Sequence, residues 1–241
     1  MRPRWLDCSG NQSVLQECEA LLKDSTEVSE PQGRLIFVMG APRAGASALA
    51  HRLHHYAKRQ GIRCLALPGT PWGSNSNLRN HFLQTLEVPL VTDEFWSNEL
   101  ASRPYDAVVA LRGYQAVFVD DGHDYFTCAK TVKKRNFERL FQLTEFPNKR
   151  HVFVFGIANT LESVAQMAEK TGVTAIRHHL KPMPNDDRYH AFVGGLIAHY
   201  RRGQGMTDPL VDITAIHRFS KGSIGVTADV VRDLCAGLQL L

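Results

Sequence analysis

The sequence is poor in cysteine and has no long apolar run. Its five cysteines are odd in number and scattered, and no two of them form a Cys-x-x-Cys pair. This pattern excludes a disulfide framework and a structural zinc site, and it predicts a reducing, cytoplasmic location. No apolar stretch approaches the ~20 residues that cross a membrane, and the first residues lack a signal-peptide core, so no membrane contact is expected.

A strong charge of one sign is also missing. The 241 residues include 28 Lys and Arg against 24 Asp and Glu, which gives a net charge of +4, and 44% of them are hydrophobic. Such a composition is typical of a soluble globular protein with a large buried core. The small positive charge permits contact with nucleic acid but does not require it.

What the sequence does contain is an alternation of apolar strands and amphipathic helices. This alternation predicts an α/β fold with a parallel five-stranded sheet flanked by helices. The predicted strands are 35–39, 63–67, 115–119, 151–155 and 174–180. The predicted helices around them are 11–23, 47–59, 75–87, 93–112, 132–143 and 161–170. Three more helices, at 185–202, 208–219 and 224–240, predict a small C-terminal helical subdomain.

A glycine-bounded loop follows the first predicted strand and precedes a helix. Its spacing matches a phosphate-binding loop, in which backbone N–H groups and a helix N-terminus hold nucleotide phosphates. Ala46 occupies the position of the lysine that reaches the phosphates, whereas Ser47 retains the Mg²⁺-binding hydroxyl. Arg43 is either a substitute cation or a solvated loop residue. The predicted nucleotide-binding residues of the loop are Gly40, Ala41, Pro42, Arg43, Ala44, Gly45, Ala46 and Ser47.

Two acidic residues follow the third predicted strand. In phosphate-loop enzymes an acid at this point holds Mg²⁺ and a second one polarises the attacking water. Asp120 is therefore the predicted Mg²⁺ ligand, together with Ser47. Asp121 is the predicted catalytic residue that polarises the water. The alternative is a pair of turn aspartates. Because aspartate is one methylene shorter than glutamate, Asp121 predicts weak or absent hydrolysis.

Three further features are candidates for function, each with a structural alternative. After the fourth strand, either Asn159 or Thr160 is placed to orient a water near a γ-phosphate; alternatively, Thr160 caps the helix that starts at Leu161. Arg177 is either an arginine finger for a neighbouring subunit or a surface arginine. A basic helix is either a DNA-binding surface or a solvated face. Its predicted DNA-binding residues are Lys130, Lys133, Lys134, Arg135 and Arg139.

With these motifs the chain resembles the AAA+ ATPases of the TniB and TnsC kind, which select targets for transposons, with MuB as a more distant relative. The resemblance covers about residues 33–240. It includes the loop, the blocks 117–123 and 154–156, the segment from Arg177 to Pro184, and the lid signature 216–225. The lid signature, a histidine followed by Ser-x-Gly-x-Ile-Gly, is its most specific part.

The resemblance implies an organisation and a set of partners. It implies an N-terminal helical extension at 1–30, a P-loop AAA+ core at 31–183 and a helical lid at 184–241, with Lys221 of the lid near the nucleotide. ATP and Mg²⁺ are the implied cofactors. A homo-oligomer, ring or filament, is expected on double-stranded DNA, with a transposase and a TniQ-type adaptor as partners.

Two departures from the family pattern bear on ATP use. Ala46 replaces the lysine, and Asp121 replaces a glutamate; their combination favours natural divergence over one designed substitution. We therefore expect a transposition regulator that works by binding and assembly, with little or no hydrolysis. Two alternatives stay open: an active ATPase whose loop is compensated by Arg43 or a partner's lysine, and a nucleotide-free adaptor of a mobile-element complex.

Overall fold

The structure, a computed structural model, describes residues 11–27, 33–69, 77–87, 104–145, 149–201 and 211–237. These residues divide into two compact units. The sheet unit comprises Glu17–Met39 and Ala46–His179, and the loop–lid unit comprises the described parts of Met1–Gln16, Gly40–Gly45 and Leu180–Leu241. Within the described residues, no helix has the length and apolar character needed to span a membrane.

Five parallel strands form the centre of the sheet unit, in the order β2-β3-β4-β1-β5. They are β1 (Arg34–Gly40), β2 (Cys64–Leu67), β3 (Ala116–Val119), β4 (His151–Ile157) and β5 (Ala175–His179). Each lies on a predicted strand. The strands β1, β3 and β4 are short apolar runs buried on both faces of the sheet, whereas β2 and β5 are only partly buried. The expected parallel five-stranded sheet is confirmed.

Helices cover the sheet and make up most of the loop–lid unit. In chain order they are α1 (Gln12–Glu27), α2 (Ala46–Arg59), α3 (Leu78–Thr85), α4 (Pro104–Leu111), α5 (Lys130–Thr144), α6 (Ala158–Lys170), α7 (Asp187–Arg201), α8 (Ile213–Ser220) and α9 (Ile224–Cys235). A 3₁₀-helix at Gly122–Phe126 was not predicted. The predicted helical residues 75–76, 93–103, 202, 208–210 and 238–240 lie outside the described residues, as do residues 1–10 and 28–30 of the expected N-terminal extension.

The two faces of the sheet carry different side chains, as the period-two alternation of a strand requires. On one face, valines of β3 and β4 join a core with α3, α5 and α6. On the other, Phe118 packs edge-on against Phe153 and Phe155, with ring centroids 5.2 and 6.0 Å apart. His54 of α2 contacts Phe118 with its ring edge. This packing orients α2 and leaves its opposite side exposed.

The loop–lid unit has an apolar core of its own, formed by α7, α8 and α9. Its buried members are Met183, Tyr189, Phe192, Val193, Leu196, Ile216, Val230, Val231 and Cys235. The unit starts at Leu180, four residues before the lid boundary expected from the sequence, and it includes the six residues Gly40–Gly45 of the predicted phosphate loop. The contacts of Arg43 described below account for that inclusion.

Candidate functional site

The predicted phosphate loop is a tight turn between β1 and α2. The N–H of Ala44 donates to the carbonyl oxygen of Ala41 over 3.0 Å. Gly45 has φ 97°, a conformation that glycine adopts without strain. A Cβ atom on Gly40 would lie 2.7 Å from the Cβ of Ala44. Both glycines are therefore required by the backbone of the loop.

The start of α2 supplies the donors that a phosphate group needs. The helix begins at Ala46, and the first N–H groups of an α-helix have no acceptor within the helix. Ser47, in the first turn, is half-buried. These groups fit an anion such as a nucleotide phosphate. The methyl group of Ala46 adds no charge, so an anion at this position would depend on backbone donors.

Arg43, the cation inside the loop, has a partner in the same unit. Its guanidinium forms an ion pair with Asp229 of α9, and Asp229 also pairs with Arg232 over 3.1 Å. The carbonyl oxygen of Arg43 accepts hydrogen bonds from the N–H of Gly225 over 2.9 Å and from the hydroxyl of Ser223 over 3.1 Å. Arg43 is thus an exposed loop residue whose guanidinium is paired, and α9 holds it by both backbone and side chain.

The residues of the lid signature form the turn that presents α9 to Arg43. His217 donates from Nε2 to the carbonyl oxygen of Met183 over 3.0 Å, and the hydroxyls of Ser220 and Tyr189 lie 3.1 Å apart. Gly222, with φ 73°, lies so close to the Met183 carbonyl that a side chain would collide with it. Lys221 ends α8 in a left-handed conformation and is exposed.

The two predicted acidic residues differ in orientation. Asp120 follows β3, and its Oδ1 accepts a hydrogen bond from the N–H of Asp121 over 3.0 Å. Asp121 has φ 48°, and its carboxylate lies against Gly69 beyond the end of β2. Since β2 lies on the opposite side of β3 from β4 and β1, the Asp121 carboxylate points away from those strands.

Burial and the charge of a neighbour affect the Asp121 carboxyl. Burial, and then the adjacent Asp120 carboxylate, raise the pKa of Asp121 above its ordinary value, with an opposing contribution from His123 and a further rise from Asp124. The Asp121 carboxyl therefore binds a proton more readily than an isolated aspartate would. In the described residues no group of three or more His, Cys, Asp or Glu side chains is arranged to hold a metal. Nucleotide-bound Mg²⁺ needs only one or two protein ligands, so Ser47 and Asp120 remain its candidates.

His123 is a site residue that the sequence did not single out by chemistry. Its Nδ1 is buried and has no hydrogen-bond partner within the described chain, and its Nε2 lies 3.5 Å from Asp124. A Cβ atom on Gly156 would lie 2.8 Å from Nδ1, so the glycine leaves room for the imidazole at the end of β4. The only signal in the sequence was a Gly-His pair directly after the two aspartates.

Asn159 and Arg177 lie on neighbouring elements at the β5 edge of the sheet. Asn159, in the first turn of α6, is exposed and lines an open pocket of about 490 Å³ with Ala158, Glu162 and His179. The expected Thr160 cap is wrong, because α6 begins two residues earlier at Ala158. Arg177 pairs with Glu169 over 2.7 Å and with Glu162 over 3.4 Å, so its guanidinium joins β5 to α6 within one chain.

The five basic residues predicted to bind DNA do not share one face of α5. Lys130 and Lys134 are four residues apart on one flank, and Arg135 and Arg139 occupy the other, as the helical period dictates. Lys133 lies between, half-buried, and donates to the hydroxyl of Ser163 over 3.1 Å. Lys134 pairs with Glu138 over 3.8 Å. The structure therefore disperses this cluster in several directions.

Comparisons with known proteins give a fold but no family. No protein-family model matches the sequence, and a search of curated proteins finds no match. Among solved structures, the chain is similar to the Walker-type ATPase PABY2304 of Pyrococcus abyssi, with 14% identity and a TM-score of 0.57 over 92% of this chain and 67% of that one. It is also similar to AMPPCP-bound DnaA from Aquifex aeolicus, with 12% identity and a TM-score of 0.58 over 97% of this chain and 64% of that one.

A further similarity is to the Aeropyrum pernix ORC2 protein in its ADPNP–ADP complexes, with 10% identity and a TM-score of 0.61 over 97% of this chain and 63% of that one. The chain thus spans about two thirds of the length of these structures. At such identities the similarity shows the fold alone. It confirms the expected fold class, an α/β fold of the AAA+ P-loop ATPase type.

Proposed function

We propose that this protein is an AAA+-type regulator of DNA transposition, of the TniB and TnsC kind, that uses ATP for assembly and hydrolyses it slowly or not at all. The observation that carries the proposal is the loop itself. Its backbone keeps the turn and the helix N-terminus that hold phosphates, while Ala46 removes one cation and Asp229 pairs with the other. Such a loop favours modest binding over catalysis.

Nucleotide binding is supported by the fold and by the loop. Two of the similar structures are named for their nucleotides, AMPPCP in DnaA and ADPNP–ADP in ORC2. In this chain the loop from Gly40 to Ser47 would hold the phosphates, Ser47 and Asp120 would bind Mg²⁺, and Lys221 of the lid would approach the nucleotide. Bound ATP supplies the negative charge and the contacts that join adjacent subunits.

Weak hydrolysis is supported by the acidic pair and by Arg177. Asp121 is short and lies against Gly69, and Asn159 is exposed rather than enclosed. Arg177 would have to leave Glu162 and Glu169 before it could act as an arginine finger in a neighbouring subunit. Double-stranded DNA, a transposase and a TniQ-type adaptor are the proposed partners in a ring or filament in the cytoplasm, with the basic residues of α5 as one candidate DNA contact.

The ion pair at Arg43 bears on the two alternative functions. An active ATPase compensated by Arg43 would need that guanidinium released from Asp229. A nucleotide-free adaptor of a mobile-element complex is favoured by the same pair, because it leaves the loop without an available cation. The three proposals differ in how strongly nucleotide binds and how fast it is hydrolysed.

The decisive experiment restores the missing lysine. We expect the natural chain to bind Mg-ATP weakly with turnover far below ~1 s⁻¹, the lower range for phosphoryl-transfer enzymes. Ala46→Lys should raise the affinity by roughly tenfold or more, because a charge-assisted contact contributes about 1.5–3 kcal/mol. Ala48→Lys is the matched control, since Ala48 is exposed two residues further along α2.

A nucleotide titration measures the affinity for Mg-ATP, and a phosphate-release assay measures the turnover. Turnover near 1 s⁻¹ in the natural chain would contradict slow hydrolysis and favour the active ATPase. Equal affinities for the Ala46→Lys and Ala48→Lys variants would show that position 46 is not at the phosphates.

A further inference from the structure

The outward side of α2 is a stripe of basic side chains. His51, His54, His55 and Lys58 are spaced three, four and seven residues apart, so they project toward the same side of the helix. All four are exposed, with His54 at the margin where its ring also contacts Phe118 of the sheet, and Arg59 adjoins them. The opposite side packs on the sheet through Leu49, Ala50, Leu53 and Ala57. We call the five basic residues the α2 face.

Within the described residues, no acidic group pairs with the α2 face. The helix contains no Asp or Glu, and none of the five side chains forms an ion pair with any part of the chain that the structure describes. The charged neighbours of His54 are all basic: after burial, His51, Lys58 and His55 lower its pKa. By contrast, Arg43, Lys134 and Arg177 each have an acidic partner.

Like charges three and four residues apart destabilise a helix by about 0.2–0.5 kcal/mol per pair when both are charged. On the α2 face every such pair includes a histidine, so this repulsion arises only where the imidazoles are protonated. An anionic partner would remove this repulsion. The stripe therefore does not stabilise the helix by charge pairing within α2, whereas it would attract an anionic partner.

The positive charge continues beyond the end of α2. Arg63, before β2, is exposed and donates from Nη1 to the carbonyl oxygen of Arg112 over 3.1 Å. Arg112, before β3, is exposed as well. Arg63 follows Arg59 by four residues, and its hydrogen bond to Arg112 adds a fourth permanent cation to Lys58, Arg59 and Arg63.

The geometry and composition of the stripe fit a nucleic-acid backbone. At 1.5 Å per residue, His51 to Lys58 covers about 10 Å, the length of about three phosphate steps on one DNA strand. The α2 face contains no large apolar side chain, whereas the centre of a protein–protein interface is apolar and poor in charge. An imidazole donates a hydrogen bond to phosphate when neutral and adds charge when protonated.

We infer that the α2 face, continued by Arg63 and Arg112, binds the phosphate backbone of duplex DNA as a surface separate from α5. The inference rests on the proposed DNA binding and assigns it a second contact surface. Its permanent cations should dominate the salt dependence near neutral pH, because each phosphate contact releases counterions.

The test compares paired charge removals in a fluorescently labelled 30-base-pair duplex titration over a salt series. The α2 variant is Lys58→Gln with Arg59→Gln. The α5 variant is Lys130→Gln with Lys134→Gln, and the control is Arg188→Gln with Arg218→Gln, two exposed arginines of the loop–lid unit. All variants lose two cations, and circular dichroism melting checks that each is folded.

We expect the α2 variant to bind about tenfold more weakly at 0.1 M salt and its log–log salt slope to decrease by about 2, since each contact contributes about 0.9. The affinity of the control for the duplex should stay within about twofold of that of the natural chain.

An α2 variant that binds the duplex as well as the control would overturn the inference. A loss of affinity confined to the α5 variant would also overturn it but would leave the proposed DNA binding in place. No duplex binding by the natural chain at any salt, with or without ATP, would overturn both. Binding of polyglutamate without duplex binding would assign the face to an acidic protein and overturn the inference.

Discussion

At the scale of single residues, two features reduce the positive charge that the loop offers to a phosphate. Ala46 removes the cation that a phosphate loop uses, and Asp229 pairs with Arg43, the remaining cation of the loop. The carbonyl oxygen of Arg43 is also bound, by Gly225 and Ser223. The loop therefore keeps its backbone shape while its charge toward phosphate is reduced twice.

Asp229→Asn is predicted to raise the affinity for Mg-ATP by about threefold to tenfold. The substitution removes a carboxylate beside the loop and frees the Arg43 guanidinium, and a hydrogen bond to a charged group contributes about 1.5–3 kcal/mol at most. Calorimetric titration measures the change. Adding Arg43→Ala to the variant should abolish the gain.

The matched control for this prediction is Asp233→Asn. Asp233 lies one turn further along α9 and pairs with Arg232 over 3.0 Å. The Asp233→Asn substitution should leave the affinity for Mg-ATP nearly unchanged. Equal gains in the two variants would mean that only net charge matters, and a lower affinity in Asp229→Asn would mean that the pair organises the loop for binding.

At the scale of secondary-structure elements, Arg177 acts as a link between β5 and α6. β5 is an edge strand that pairs with β1 only, so its other contacts come from side chains. Two glutamates of α6 hold the guanidinium. This arrangement gives Arg177 a role inside one chain, whatever it does in an assembly.

Arg177→Ala is predicted to lower the free energy of unfolding of the nucleotide-free chain by about 0.5–1 kcal/mol. The value is small because both ion pairs are partly exposed to water. Urea denaturation measures it, with Arg218→Ala as the control, since Arg218 is exposed on α8 and has no ion pair in the described chain. Unchanged stability combined with loss of ATP-dependent assembly would instead support an arginine finger.

The sequence predicted well those elements whose formation depends on a local pattern of apolar residues. The strands β1, β3 and β4 are confirmed because each is a short apolar run buried on both faces, as Val117 and Phe118 show. The Thr160 cap is wrong because a helix boundary depends on hydrogen bonds that are not visible in the sequence. The partnership of Arg43 with Asp229 spans 186 residues, and no local pattern relates the two.

Charge patterns were harder to interpret than apolar ones. The basic residues of α5 form a run in the sequence, yet the helical period separates Lys130 from Arg135. The basic residues of α2 look interrupted in the sequence, yet the same period aligns His51 with Lys58. Whether a set of basic residues forms one continuous surface therefore depends on which positions of the helix are buried in the core.

At the scale of the whole molecule, the three functional readings predict different responses to nucleotide. If ATP serves assembly, Mg-ATP at ten times its Kd should stabilise the chain by about 1.4 kcal/mol and raise the melting temperature by about 3–5 °C. A non-hydrolysable analogue should do the same, because binding and not hydrolysis supplies the stabilisation. Differential scanning fluorimetry measures the shift, with Mg²⁺ alone as the control.

Electron microscopy of the same samples with duplex DNA then relates binding to assembly. We expect rings or filaments with ATP or its analogue and single particles without nucleotide. A shift with ATP that the analogue does not reproduce would require hydrolysis and favour the active ATPase. Assembly on DNA with no thermal shift at millimolar ATP would favour the nucleotide-free adaptor, because a ligand that binds only the folded state must raise its stability.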